Sequence, residues 1–181
     1  MNCWKTINLS KDFGLHRIYI FSMLTMIITF IIIYLPIHFV YPQVEFKEGQ
    51  FFFFILVLVT LIPIHKLFHV LPLILSGNRV NFRVKYLTFI PSLQIKACYS
   101  IKKSSMLCSL LFPLLFITPL LVIAGTSFLP YIHYFCILIA YHIGMCVPDL
   151  IFAKLILQAP KTSYIEEFED GFEILVHKSI P

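Results

Sequence analysis

Residues 51–75 read FFFFILVLVTLIPIHKLFHVLPLIL, an apolar run whose single charged residue is Lys66. Wound as an α-helix it is about 37 Å long, more than the roughly 30 Å hydrocarbon core of a bilayer. Inside it His65-Lys66-Leu67-Phe68-His69 places two imidazoles four residues apart, on one face and one turn from each other. The run therefore predicts a membrane-crossing helix that carries a polar face at depth.

Three further stretches, 18–40, 106–123 and 131–157, are also long and apolar enough to cross that core. Hydrophobic residues make up 59% of the chain and charged residues 13%, with mean hydropathy +0.89. This composition excludes an ordinary soluble domain. The expected class is an all-α membrane protein of four transmembrane helices with small cytoplasmic β-hairpin elements. The first stretch follows Lys5, Lys11 and Arg17, but its apolar run is too long for a signal peptide and lacks a small-residue cleavage site. It is expected to remain as an anchor.

Basic residues set the orientation, because they are retained on the cytoplasmic side. The N-terminal segment holds Lys5, Lys11 and Arg17, and the connection after the second helix holds Arg79, Arg83, Lys85, Lys96, Lys102 and Lys103. Residues 41–50 offer Lys47 against Glu45 and Glu48, and 124–130 carry no charge. Both termini are thus expected in the cytoplasm, and the net charge of +5 reads as a topology signal, with no nucleic-acid partner expected. Cys3, Cys98, Cys108, Cys136 and Cys146 form no C-x-x-C pair, so neither a disulfide framework nor a thiolate zinc site is expected.

Strict alternation in 80–86, and again in 93–98 after Pro91, predicts a hairpin in the connecting loop 76–105. The tail 158–181 repeats the theme, with Ser163-Tyr164-Ile165, the turn pair Asp170-Gly171, and Phe172 to Val176. Residues 1–157 form the expected transmembrane domain and 158–181 a cytoplasmic tail.

Asp149 follows Pro148 inside the fourth apolar stretch, where an ionised carboxylate costs several kcal/mol unless paired. His65 precedes the end of its helix by ten residues and Asp149 precedes Leu157 by eight, which places both about 12–15 Å from the same boundary. They are expected to meet. Two imidazoles and one carboxylate are a three-ligand set for catalytic zinc, with a fourth position open to water. His142, seven residues before Asp149, lies on nearly the same face as a further ligand or a hydrogen-bonding partner, the latter preferred because Tyr134 and Tyr141 suggest a polar stripe. A bare H-x-x-x-H carries little weight alone, since seven histidines in 181 residues give roughly 0.26 such pairs by chance. His16, His38, His133 and His177 fall near or beyond the membrane boundaries and are expected to be incidental.

On the His65–His69 helix, the alternating strand through Tyr86, the His142-x-Gly144 to Pro148-Asp149 segment and the Asp170-Gly171-Phe172 tail, the chain resembles the putative zincin peptidases. These are small bacterial four-helix membrane proteins similar in layout to site-2-type intramembrane metalloproteases. The resemblance implies zinc on His65, His69 and Asp149, and a bacterial cell membrane as location. Family members carry H-E-x-x-H, where the two His bind zinc and the Glu activates water. Here the middle position is Lys66.

That exchange decides the functional expectation. An ammonium beside the metal position repels a divalent ion, and the nearest expected anion for it is Asp149. A degenerate zincin-like protein without peptidase activity follows, one that binds segments of other membrane proteins in the cleft. The alternatives are an active zinc-dependent intramembrane peptidase, with Lys66 as a neutral base, and a small ion or proton translocating protein using Lys66, Asp149 and His142.

Overall fold

The computed structural model describes residues 2–8, 12–77, 80–87, 90–97, 100–168 and 171–176. Its helices are α1 (Leu15–Val40), α2 (Phe51–Leu75), α3 (Lys103–Ser127), α4 (Ile132–Met145) and α5 (Val147–Leu157), with a 3-10 turn at Leu129–Tyr131. Its strands are β1 (Asn2–Ile7), β2 (Val80–Leu87), β3 (Ile90–Ala97), β4 (Ile101–Lys102), β5 (Tyr164–Phe168) and β6 (Gly171–Val176). Among the described residues, four helical spans are long and apolar enough to cross a membrane: α1, α2, α3 and the combined Leu129–Leu157.

α2 matches its expected bounds, while α1 and α3 run three or four residues past the apolar stretches that announced them. The fourth span departs from the single expected helix by breaking at Cys146. Pro148 is the cause: it has no N–H to bond the carbonyl four residues back, and its ring crowds that carbonyl. It sits instead in the first turn of α5, where a missing N–H is tolerated, and this leaves Asp149 in the same first turn.

The β structure is antiparallel and of two parts. β2 and β3 form the expected hairpin, Val80 facing Ala97, with Pro91 inside β3 rather than ahead of it. A two-stranded ribbon consists of edges, so Pro91 need not donate to the ladder. The second sheet has the order β1-β6-β5-β4. The tail strands were legible in the sequence; β1 and β4 were not. Cys98, Asp170 and His177 lie outside the described residues.

The four-stranded sheet closes one end of the helices. Ile101, Ile165 and Phe172 pack with Leu73, Met106, Leu110 and Ile156, and Ile7 and Ile174 pack with Ile18 and Ala159. Period-two alternation buries Phe172 and Ile174 of β6 on the helix side. Lys103 Nζ donates to the carbonyls of Leu157 and Ala159, satisfying the open end of α5. At the far end Phe54, Leu61, Ile117 and Leu138 form a separate apolar cluster. Because β1, β4, β5 and β6 share one sheet, the N-terminal segment, the α2–α3 connection and the tail meet at the same end of the bundle.

α1 leans on α4 and α5, while α2 leans on α3. α1 and α2, though consecutive, scarcely touch, and a cleft opens between them.

Candidate metal centre

The centre is assembled from α2 and the broken fourth span. His65 and His69 project from one face of α2, and the break at Cys146 aims Asp149 at them from the start of α5. His65 Nε2 lies 3.1 Å from Asp149 Oδ2, His69 Nε2 lies 3.4 Å from the same oxygen, and the two Nε2 atoms are 3.1 Å apart. His65 is 5% exposed. All three residues expected as ligands are therefore brought together, and the expected matching depth of His65 and Asp149 corresponds to direct contact.

The outer edges of the imidazoles are held by His142, expected as a hydrogen-bonding partner, and by Ser109, with Thr118 behind His142; neither Ser109 nor Thr118 was expected. His69 Nδ1–H donates to the Ser109 carbonyl at 2.8 Å, and Ser109 Oγ returns a bond to the His69 carbonyl at 2.5 Å. A carbonyl only accepts, so the proton of neutral His69 is fixed on Nδ1 and its Nε2 presents a lone pair. His65 Nδ1 lies 3.2 Å from His142 Nε2, and His142 Nδ1 lies 3.0 Å from Thr118 Oγ1. Two proton arrangements satisfy this series: in one Thr118 Oγ1–H donates to His142, His142 Nε2–H to His65 and His65 Nε2–H to Asp149, and the other, the one that suits a metal ion, is His65 Nδ1–H to His142 and His142 Nδ1–H to Thr118. The latter leaves three lone pairs facing one another, an array that a cation stabilises. Ser109 and Thr118 left one signal in the sequence, as polar residues within the apolar run of α3.

The donor set fits zinc. Ligand bonds of 2.0–2.1 Å in a tetrahedron give ligand-to-ligand edges of about 3.3–3.4 Å, against the 3.1–3.4 Å found. Imidazole nitrogen and carboxylate oxygen are donors suited to that ion, and each imidazole has the outer hydrogen bond that orients a metal-binding histidine.

A second group, His65, His142 and Cys146, also brings three donors near one another. It is the poorer arrangement. Cys146 Sγ stands 3.9 Å from both ring nitrogens of His142, hence beside the ring rather than on the lone pair of either. His142 is fully buried behind His65, on the Nδ1 side of that ring.

Lys66, one residue on from His65, lines the same cavity as His65, His69 and Asp149. His133 lies elsewhere, in the first turn of α4 against Phe46 and Tyr134, and His38 stacks on Tyr34 of α1.

A family model described as a putative zincin peptidase matches residues 58–164, a span that contains all three donors, Lys66, Ser109, Thr118 and the break at Cys146. No curated protein and no solved structure matches the chain.

Proposed function

The chain belongs to the putative zincin peptidase family, and we propose that it is a multi-pass membrane protein that holds zinc and grips membrane-peptide segments without cutting them. His65, His69 and Asp149 are the ligands in this reading. The observation that carries it is the triangle of donor atoms at 3.1–3.4 Å. Zinc bound there supplies Lewis acidity toward a carbonyl and lowers the pKa of a water.

The chain's own residues do the rest. Ser109 and His142 fix the ring orientation of the two histidines, and the N-terminal turn of α5 favours the negative charge of Asp149. Lys66 stands where H-E-x-x-H places a proton-accepting carboxylate. An ammonium has no lone pair with which to take a proton, so the hydrolytic step lacks its base. The opening between α1 and α2 gives a segment in the bilayer lateral access to the cavity. The sheet end, with its excess of Lys and Arg, faces the cytoplasm.

An active peptidase is the second reading, favoured by the same donor triangle if Lys66 serves as a neutral amine. Reconstitution with a labelled apolar peptide separates the two. Retention of the peptide uncut by the zinc-loaded wild type is the expected result. Cleavage that disappears in Asp149→Asn would overturn the non-cleaving reading in favour of the second.

A further inference from the structure

We infer that the chain has a second binding site, an aromatic cavity at the end of the bundle away from the four-stranded sheet, whose ligand is an apolar fused-ring compound bearing one hydroxyl. The cavity has a volume of about 440 Å³, within the roughly 300–1,000 Å³ of small-ligand sites. It lies between the starts of α2 and α4 and shares no lining residue with the cleft beside His65. Six of its nine lining residues are rings: Phe53, Phe54, Phe128, Tyr131, Tyr134 and Phe135. The walls are held from behind. Tyr134 Oη donates to the Glu48 carbonyl at 3.0 Å, and the Tyr134 ring stacks on that of Phe54 with centroids 4.9 Å apart. The Lys47 N–H donates to the Pro130 carbonyl at 3.0 Å, which ties the α1–α2 connection to the turn that carries Tyr131. Phe135 sits against Gly125, where an added Cβ would lie 2.9 Å from the Phe135 Cβ.

The placement of polar atoms selects the occupant. Gln50 and Tyr131 stand just ahead of α2 and α4, whereas Val57 and Leu138 lie seven residues further along the same helices, about 10 Å deeper at 1.5 Å per residue. One end of the cavity is therefore polar and the other wholly apolar. Among the described residues neither the Gln50 side-chain amide nor the Tyr131 hydroxyl has a hydrogen-bond partner. Each can donate and accept, and a ligand hydroxyl does both. A ligand with a second oxygen at its far end would bury it unpaired against Val57 and Leu138. Rings are favoured over an alkyl chain because offset and edge-on ring contacts attract beyond the area they bury. Position points the same way. In a membrane-crossing bundle this end lies at the edge of the hydrocarbon core, where ring compounds with one wet end collect.

The test uses the full-length protein in lipid nanodiscs and equilibrium dialysis of 2-naphthol, naphthalene and 1-dodecanol, with uptake by empty nanodiscs subtracted. Wild type is expected to bind 2-naphthol saturably and at least fivefold more tightly than naphthalene, the range of one neutral hydrogen bond. It should also prefer 2-naphthol to 1-dodecanol by at least fivefold, the share of the ring contacts. The double variant Gln50→Leu with Tyr131→Phe alters two positions outside the buried core and should bring 2-naphthol down to the naphthalene level, with naphthalene within about twofold of wild type. Val57→Trp, which fills the deep end, should abolish saturable binding of both ring compounds. Equal binding of 2-naphthol and naphthalene by wild type, or a preference surviving in the double variant, would overturn the inference. 1-Dodecanol binding as tightly as 2-naphthol would overturn it in favour of a lipid chain, and binding undiminished in Val57→Trp would place the ligand elsewhere.

Discussion

His65 Nε2 and Asp149 Oδ2 stand 3.1 Å apart although 84 residues separate them in the chain. Their meeting depends on Pro148, which ends α4 and restarts the helix so that Asp149 occupies a first turn. Helix N-termini favour negative charge, so the carboxylate is stabilised from its own backbone.

The hydrogen bonds behind the cluster should be measurable as metal affinity. His142→Ala and Thr118→Val each remove a partner from the His65 side and should weaken zinc binding by about 10–100-fold. Competition against a fluorescent chelator gives the affinity. An unchanged value in both variants would show that the outer partners do not orient His65.

Lys66→Glu should move affinity in the opposite direction. Unit charges about 4 Å apart interact by about 4 kcal/mol at an effective dielectric of 20, and the exchange turns a repulsion into an attraction. Side-chain reorientation will take up much of that, leaving a tightening of at least tenfold as the expected outcome. The same competition assay reads it.

Packing of α1 on α4 should hinge on Gly144. An added Cβ would lie 3.1 Å from both Met26 Cβ and the Ser22 carbonyl. Because the backbone carbonyl cannot step aside, Gly144→Ala should cost about 1–3 kcal/mol, seen as a lower melting temperature in detergent. Met26 also lines the cleft, so the variant should loosen peptide binding as well.

Gly171 opens β6 directly over the backbone of Ile7, with no room for a side chain. Gly171→Ala should therefore free β1 from the sheet. Limited proteolysis would detect it as faster cleavage within residues 2–7, while zinc content stays at the wild-type level.

The shared sheet also predicts sidedness. β1 pairs with β6, so reporters fused to the two ends of the chain should report the same side of the membrane, the cytoplasmic one if the Lys and Arg bias governs insertion. Opposite reports would contradict the pairing.

Much of this arrangement was legible in the sequence because its determinants are local. Length and apolarity place α2, alternation places β2, and the distances of His65 and Asp149 from their helix ends place them at one level. The long apolar run around Pro148 hid the break at Cys146. β1 and β4 escaped because each is made by pairing with a distant strand: Ile7 meets Phe172 and Ile101 meets Ile165. Lone polar residues such as Ser109 and Thr118 gain meaning only from the rings they face, and nothing local in α3 names those rings.

X-ray absorption at the zinc edge of the purified protein tests the central claim most directly, since it reads the ligands themselves. The account predicts a stoichiometric ion with two imidazole nitrogens and a carboxylate oxygen at about 2.0–2.1 Å, lost in Asp149→Asn. A sulfur scatterer at about 2.3 Å, which would place the ion on Cys146, or no zinc above background in the wild type, would contradict it.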